Sequence, residues 1–553
     1  MFQSLKHGVT VMFEKQSKRV TSSVQSSGDG SNLNVGADLA GDPVYLSGQV
    51  IPSQAFSQAM LALGKVVRMP IPVKPDHSAY QKWVTAKYYE ELESSDKQSQ
   101  IMARSRELTT QLRPLVIQRD QILDTYRALS LKLGEPRRQF WEWLSTHNRD
   151  AWIVLDPIVS VQGDGTFFEA FSMDESVYAR VFLPHSALDA AHEPSLGTTN
   201  IDFGTLLERE FARVRSYRPL NLSVGLNSVD IATTASSVVE ERIPLPESWV
   251  RGLVEVQSVL SLAPVEFDLS SDGLAEVIAR LESEVEKVGP RSLKFTLDPN
   301  KPIRIEIEPW GEIFNDDSFV YHGKVQEIVR VWGRRRLSVL KDLLVKTDRV
   351  RVRLIGSGMP SFWTITRDGI ETTIGLSGWT SNDWASKAKF SALLPASEIT
   401  PEQLVQGIDH LRTLGTIDSK SLTKRMELKA GDAAALLQRL CITGKAMYDP
   451  ERKLYRWRDL FPTLEMNTET EASLEERKGI ELFKGKKLKV IDDQVKDAVR
   501  YLEGSIDSFR PILELDADAR PRHAQCSCSF FNYNKLRQGP CRHMVALSLQ
   551  GGQ

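Results

Sequence analysis

Cys526 and Cys528 are separated by a single residue, and after a gap of twelve residues Cys541 and His543 repeat that spacing. Three thiolates and one imidazole are the soft and borderline donors that a tetrahedral zinc ion takes. Three of the four cysteines of the chain fall within these sixteen residues, while Cys441 sits alone in an apolar helical stretch and reads as core. Four protein ligands fill the tetrahedron, so no position is left for a metal-activated water and the expected Zn2+ is structural, one per chain. Gly539-Pro540 makes the turn before the second ligand pair, and His543 to Leu547 opens a short terminal helix. His523 has no spacing that fits a finger and reads as a surface histidine.

A second chemical signal is charge on one face of a strand. Residues 331–353 carry eight Lys/Arg against two Asp. Arg334, Arg335 and Arg336 open a helix with Leu337, Leu340 and Leu344 on its apolar face. In the strand that follows, Val350, Val352 and Leu354 alternate with Arg349, Arg351 and Arg353. Such a stripe either docks an acidic partner by bidentate arginine–carboxylate pairing or meets acids of its own sheet. Arg349, Arg351 and Arg353 are the candidate partner-binding residues.

The elements that must hold these groups follow from periodicity and turns. Residues 1–42, rich in Ser, Gly, Asn and Asp toward their end, read as largely disordered. Residues 43–150 form a helical arm region, with a helix from Ser53 through Val67 and helical spacing from Ser78 to about Asn148. Residues 151–330 alternate short strands (Trp152–Leu155, Val159–Val161, Tyr178–Phe182, Leu220–Val224) with helices, one of them capped at Ser270. Gly197 to Phe203 reads as a cap on the following helix, the alternative being a polar site. Residues 331–400 are a basic helix–strand region in which Gly375-Leu376-Ser377-Gly378 lacks the Lys-Ser/Thr of a phosphate loop. Residues 401–462 are winged-helix-like: helices at Pro401–Leu414, Ser419–Met426 and Asp432–Thr443, then a hairpin from Ala446 to Trp457. The third helix, rich in Ala and Leu, offers base edges little beyond Gln438 and Arg439 and reads as a packing helix, although Arg452, Lys453, Arg456 and Arg458 of the wing could meet phosphate. Residues 463–510 are a linker and a helix at 492–505, and 511–553 are the finger. The fold class is α+β, multidomain, with a β-rich centre.

A 553-residue chain with 41% hydrophobic and 26% charged residues has ample core for several domains. Its formal charge of −2 and pI near 6.6 exclude a protein that coats nucleic acid over its whole surface. Any nucleic-acid binding is therefore local and weak. With three cysteines committed to metal there is no disulfide framework, which places the chain in a reducing compartment. No apolar run approaches 18 residues and the start lacks a signal-peptide core, so the expected location is cytoplasmic, with no membrane partner.

The Cys-x-Cys…Cys-x-His pattern resembles the SWIM zinc finger, all four ligand positions being matched. Gly197-Thr198-Thr199-Asn200-Ile201-Asp202-Phe203, Leu245-Pro246-Glu247-Ser248-Trp249, Trp332-Gly333-Arg334-Arg335-Arg336 and Gly375-Leu376-Ser377-Gly378-Trp379-Thr380 extend the resemblance to bacterial SWIM-containing proteins of similar length, over roughly residues 150–553. Members of that group are associated with MoxR-type AAA ATPases and von Willebrand A proteins. The resemblance implies a non-enzymatic zinc-binding adaptor in an ATPase-driven remodelling or defence system. The alternatives are a DNA-binding protein or a nuclease or hydrolase with a site in residues 150–390. No Walker loop, nucleophile elbow or second His/Cys cluster marks such a site.

Overall fold

Strands between residues 158 and 376 build one eight-stranded antiparallel sheet, and its two faces differ in chemistry. A computed structural model describes residues 23–27, 30–35, 45–69, 114, 157–190, 193–200, 205–215, 220–224, 247–286, 291–378, 384, 399–428, 430–460, 474–496, 499–515, 521–534, 536 and 539–551. The chain divides into two units, Met1–Pro70 with Leu155–Gln553, and Ile71–Val154. Apart from residue 114 the second unit lies outside the described residues, as do the expected helical arm at 78–148 and the strand at 152–155.

Across the central sheet the strands run Val265–Leu269, Arg349–Leu354, Ser361–Arg367, Ile370–Leu376, Val177–Pro184, Gly165–Phe171, Ile158–Val161 and Gly197–Asn200. The register Phe168↔Val181↔Thr372↔Ile365↔Val350↔Leu269 places a row that is apolar but for Thr372 on one face. The helix Ser53–Val67 covers this face, with Phe56 against Phe168 at 5.6 Å between ring centroids. A four-stranded sheet adds to it, Phe295 meeting Trp363 at 6.0 Å. The other face carries Glu169↔Arg180↔Thr373↔Thr364↔Arg351↔Asp268. The helix Glu247–Leu260 lies on that charged face, where Trp249 meets Phe171 at 5.6 Å. The hairpin of strands Ala446–Asp449 and Leu454–Trp457 covers it as well, so Gly165–Phe171 is buried along its whole length.

The helices at Pro401–Leu414 and Ser419–Met426 have the expected bounds, because their caps are local. Thr400 and Gln403 form a reciprocal capping box, and the Asp418 side chain accepts from the Ser421 amide. Ala430–Ile442 follows, with Ala433, Leu436, Leu437 and Leu440 buried, as a packing helix requires.

Four expectations change. Ser23–Ser27 and Gly30–Val35 are strands within the segment read as disordered, the second pairing in parallel with Leu220–Val224; backbone hydrogen bonds need no apolar side chains. Gly197–Asn200 is the edge strand of the central sheet, and residues 201–203, the part of the expected cap next to the helix, lie outside the described residues. No boundary falls at 330/331, since Ile370–Leu376 pairs directly with Val177–Pro184. Residues 492–505 are not helical: Lys489–Lys496 and Val499–Ser505 form a hairpin, with Asp493 pairing Arg500 across it at 2.8 Å. That hairpin joins Pro511–Leu515 and Pro521–Cys526 in a four-stranded sheet, so the linker and the finger share one structure.

Candidate metal centre

The last strand of this sheet ends on Cys526, and Cys528 follows just before the short helix Ser529–Asn534. Gly539, at φ 83°, turns the chain back, a conformation that glycine adopts without steric cost. Cys541 then precedes the helix Arg542–Gly551, whose first turn carries His543. The Val545 amide donates to the Cys541 carbonyl, fixing ligand and helix together.

The three Sγ atoms and one His543 nitrogen all lie within 4.8 Å of one another. Nδ1 of His543 is 3.7 Å from the Cys526 sulfur and 3.9 Å from that of Cys541. Zinc bonds of about 2.3 Å to sulfur and 2.0–2.1 Å to nitrogen imply tetrahedral edges of roughly 3.5–3.8 Å. The residues fit the ion. All four are buried, His543 the most exposed at 7%. The Phe531 amide donates to the Cys528 sulfur at 3.4 Å, and the Phe509 ring lies 4.7 Å from the imidazole. Such neighbours orient the ligands and raise their affinity.

Proton sharing within the cluster already favours thiolates. A hydrogen bond from Cys541 lowers Cys526 to about 4 and Cys528 to about 6, while those same bonds hold the Cys541 thiol protonated. A bound divalent ion replaces that proton.

Glu475, from the helix Leu474–Lys484, accepts from both the backbone amide and Nε of Arg542 at 3.0 Å, which ties this helix to the start of the terminal helix, between the last two ligands. Gly479 of the same helix faces Val545, where an added Cβ would come within 2.6 Å of the valine Cβ.

A family profile matches residues 512–552. These residues are a SWIM zinc finger, with Cys526, Cys528, Cys541 and His543 positioned to bind one zinc ion. No curated protein matches the chain. Among solved structures, Proliferating Cellular Nuclear Antigen from Entamoeba histolytica aligns at 11% identity, covering 40% of this chain and 88% of its own, with a TM-score of 0.27. The PCNA2–PCNA3 complex of Sulfolobus tokodaii gives 8%, 41%, 91% and 0.27 in the same order. A. fulgidus PCNA bound to the C-terminal region of FEN-1 gives 12%, 40%, 88% and 0.28. Likenesses this slight carry no argument.

Outside the SWIM finger, the structure redirects the arginine stripe. Arg349 pairs with Asp268 at 3.0 Å, Arg351 with Glu266 at 2.6 Å and Asp268 at 3.0 Å, and Arg353 with Glu266 and Glu451. These charges are paired from the neighbouring strand and, through Glu451, from the hairpin, and Arg353 is 2% exposed. Each arginine of the stripe is thus already ion-paired within the chain, Arg349 remaining 42% exposed. The expected wing cations also face inward. Arg456 bridges Asp449 and Asp164, Arg452 meets Glu371 at 2.8 Å, and Arg458 meets Glu169 at 2.6 Å. Glu169 also accepts from the Tyr178 hydroxyl at 2.5 Å. Guanidinium groups of Arg452 and Arg456 lie 4.1 and 5.2 Å from the centres of the Phe182 and Phe167 rings. Only Lys453 of the four wing cations stays exposed.

Sequence reasoning did not find this buried network. Its trace is the lone acid in Phe167-Phe168-Glu169-Ala170-Phe171, since a carboxylate inside a fully buried strand requires a partner. His523 is exposed on its strand, as a surface histidine should be. Among the described residues no helix is long and apolar enough to cross a membrane.

Proposed function

We propose that the protein is a non-enzymatic adaptor, held in shape by zinc, that joins protein partners in a machine driven by an AAA ATPase. The observation that carries this reading is the closed metal site: four buried ligands occupy the tetrahedron, so the ion shapes a surface and activates no water. Resemblance to bacterial SWIM-containing proteins points to a MoxR-type ATPase and a von Willebrand A protein as the partners. The order helix, strand, helix, helix, hairpin over Pro401–Trp457 is, in this reading, a winged helix turned to internal use, its hairpin sealing the central sheet. Residues 78–148 become the next candidate docking element, since the arginine stripe is internally paired.

The test is affinity capture from the native cell with full-length protein and a Cys541→Ser variant. Capture of an ATPase and a von Willebrand A protein that weakens in the variant supports the adaptor. Turnover of nucleotide or nucleic acid by the isolated chain overturns it.

A second reading, nucleic-acid binding, is favoured by the exposed Arg510, Arg522 and His523 on the finger sheet. Lys535 and Arg537 lie outside the described residues. Binding of this kind rests on a few phosphate contacts, each contributing about 0.9 to the salt slope on duplex DNA.

A further inference from the structure

Where the SWIM finger meets the central sheet there is a cavity of about 340 Å³, which none of the foregoing readings uses. Three separate parts of the chain line it. The sheet and the helix leading into it supply Leu260 and Phe362, the hairpin supplies Tyr448 and Lys453, and the finger supplies Arg522. The finger strand is fastened at this place, the Ala263 amide donating to the Pro521 carbonyl at 3.0 Å. Its volume lies at the small end of the range for ligand pockets, about 300–1,000 Å³.

The charges around it sort into committed and available groups. Arg353 lines the cavity but donates to Glu266, to Glu451 and to the Pro450 carbonyl, and Glu266 is also held by Arg351. Lys453 and Arg522 are exposed, and neither forms an ion pair among the described residues. Burial raises the pKa of Glu327, outweighing Arg522, which draws that carboxyl toward its charged form. The cavity thus offers an apolar, aromatic floor with two uncommitted cations from different elements. Floors of this kind take up apolar bodies, and a few well-placed polar groups fix their orientation. Charge selects an anion.

We propose that this cavity is a binding site for a small organic anion with an apolar body, such as an aromatic carboxylate. The carboxylate is held by Lys453 and Arg522 while its ring rests on Phe362 and Tyr448. An occupant would touch body, hairpin and finger together. The proposal is independent of the adaptor reading.

The test is isothermal titration of zinc-loaded, full-length protein with 2-naphthoate, and with 2-naphthalenemethanol as the uncharged body of the same shape. One saturable site per chain is expected, at least tenfold tighter for the carboxylate. The double variant Lys453→Glu/Arg522→Glu should weaken naphthoate at least tenfold without changing zinc content or circular dichroism, because both side chains are exposed. Ala263→Leu, which narrows the cavity and leaves its charges in place, should weaken binding at least tenfold. Lack of saturable binding, equal affinity for the neutral analogue, or undiminished binding in the charge-reversed protein or in Ala263→Leu each overturns the proposal.

Discussion

At the scale of single residues, position along one strand decides what an arginine contributes. Arg349 is 42% exposed and its pair with Asp268 competes with water and salt, so Arg349→Ala should cost less than about 1 kcal/mol. Arg353 is 2% exposed, and removing it strands the mostly buried Glu451, while Glu266 keeps Arg351. Breaking a buried pair on one side costs about 3–5 kcal/mol, so Arg353→Ala should lower the urea midpoint far more than Arg349→Ala. Equal effects would mean that the stripe is energetically uniform. At the metal, Cys541→Ser should remove the zinc and unfold the last sheet and helix. Structural zinc in finger peptides contributes on the order of 10–16 kcal/mol of apparent folding energy, whereas the central sheet has its own core. Metal analysis should find about one zinc in the parent and almost none in the variant. Limited proteolysis should then cut only the C-terminal part.

At the scale of elements, two interfaces can be tested separately. Gly479→Ala gains intrinsic helix propensity of about 1 kcal/mol but drives a methyl into Val545. Overpacking of that kind costs about 1–3 kcal/mol, and the helix Arg542–Gly551 carries a zinc ligand. Faster zinc loss to a chelator than in the parent is the expected outcome. The hairpin over the charged face should respond to acid. Burial pushes Asp449 up, but Arg180, Arg456 and Arg452 hold it below the usual carboxylate range. Glu451 is lowered in the same way by Arg353. A carboxylate with a depressed folded pKa stabilises above its unfolded value and loses that contribution as pH falls through the folded one. Glu371 has the opposite sign, since burial outweighs Arg452 there. With two groups against one, stability should decline below about pH 4, and Asp449→Asn should flatten that decline in urea melts across pH 3–6. The helices at 401–426 were legible because capping is decided within four residues. The finger ligands were legible because metal chemistry admits few residue types at few spacings. The acids facing the arginine stripe were not, although Val265-Glu266-Phe267-Asp268-Leu269 alternates with the same period as Arg349–Leu354. Which strand lies beside which is settled by contacts about 80 residues apart in sequence. Residues 492–505 were misread because their apolar groups serve neither period cleanly: Val495 is exposed while Leu502 is buried.

At the scale of the whole molecule, the finger sheet is fastened to the body by the Ala263–Pro521 hydrogen bond and by its place in the same compact unit. If the finger contacts nucleic acid, binding should be sequence-independent and should weaken steeply with salt, in proportion to the few phosphates reached. A tight complex that survives moderate salt and prefers one sequence would exclude that picture. The two-faced sheet also bears on how the chain is made. The helix that covers its apolar face is Ser53–Val67, synthesised before any of its strands, whereas the hairpin over its charged face begins about 70 residues after the last one. At about 5–20 residues per second the sheet waits roughly 4–14 s for that cover. During this time the surface turned to solvent or to a chaperone bears arginines and carboxylates, which water solvates readily. Had the faces been exchanged, a broad greasy surface would have stood open on every nascent chain. The late position of the hairpin is tolerable because most of what it buries is ionic, the Phe167 and Phe182 rings being set among the charges.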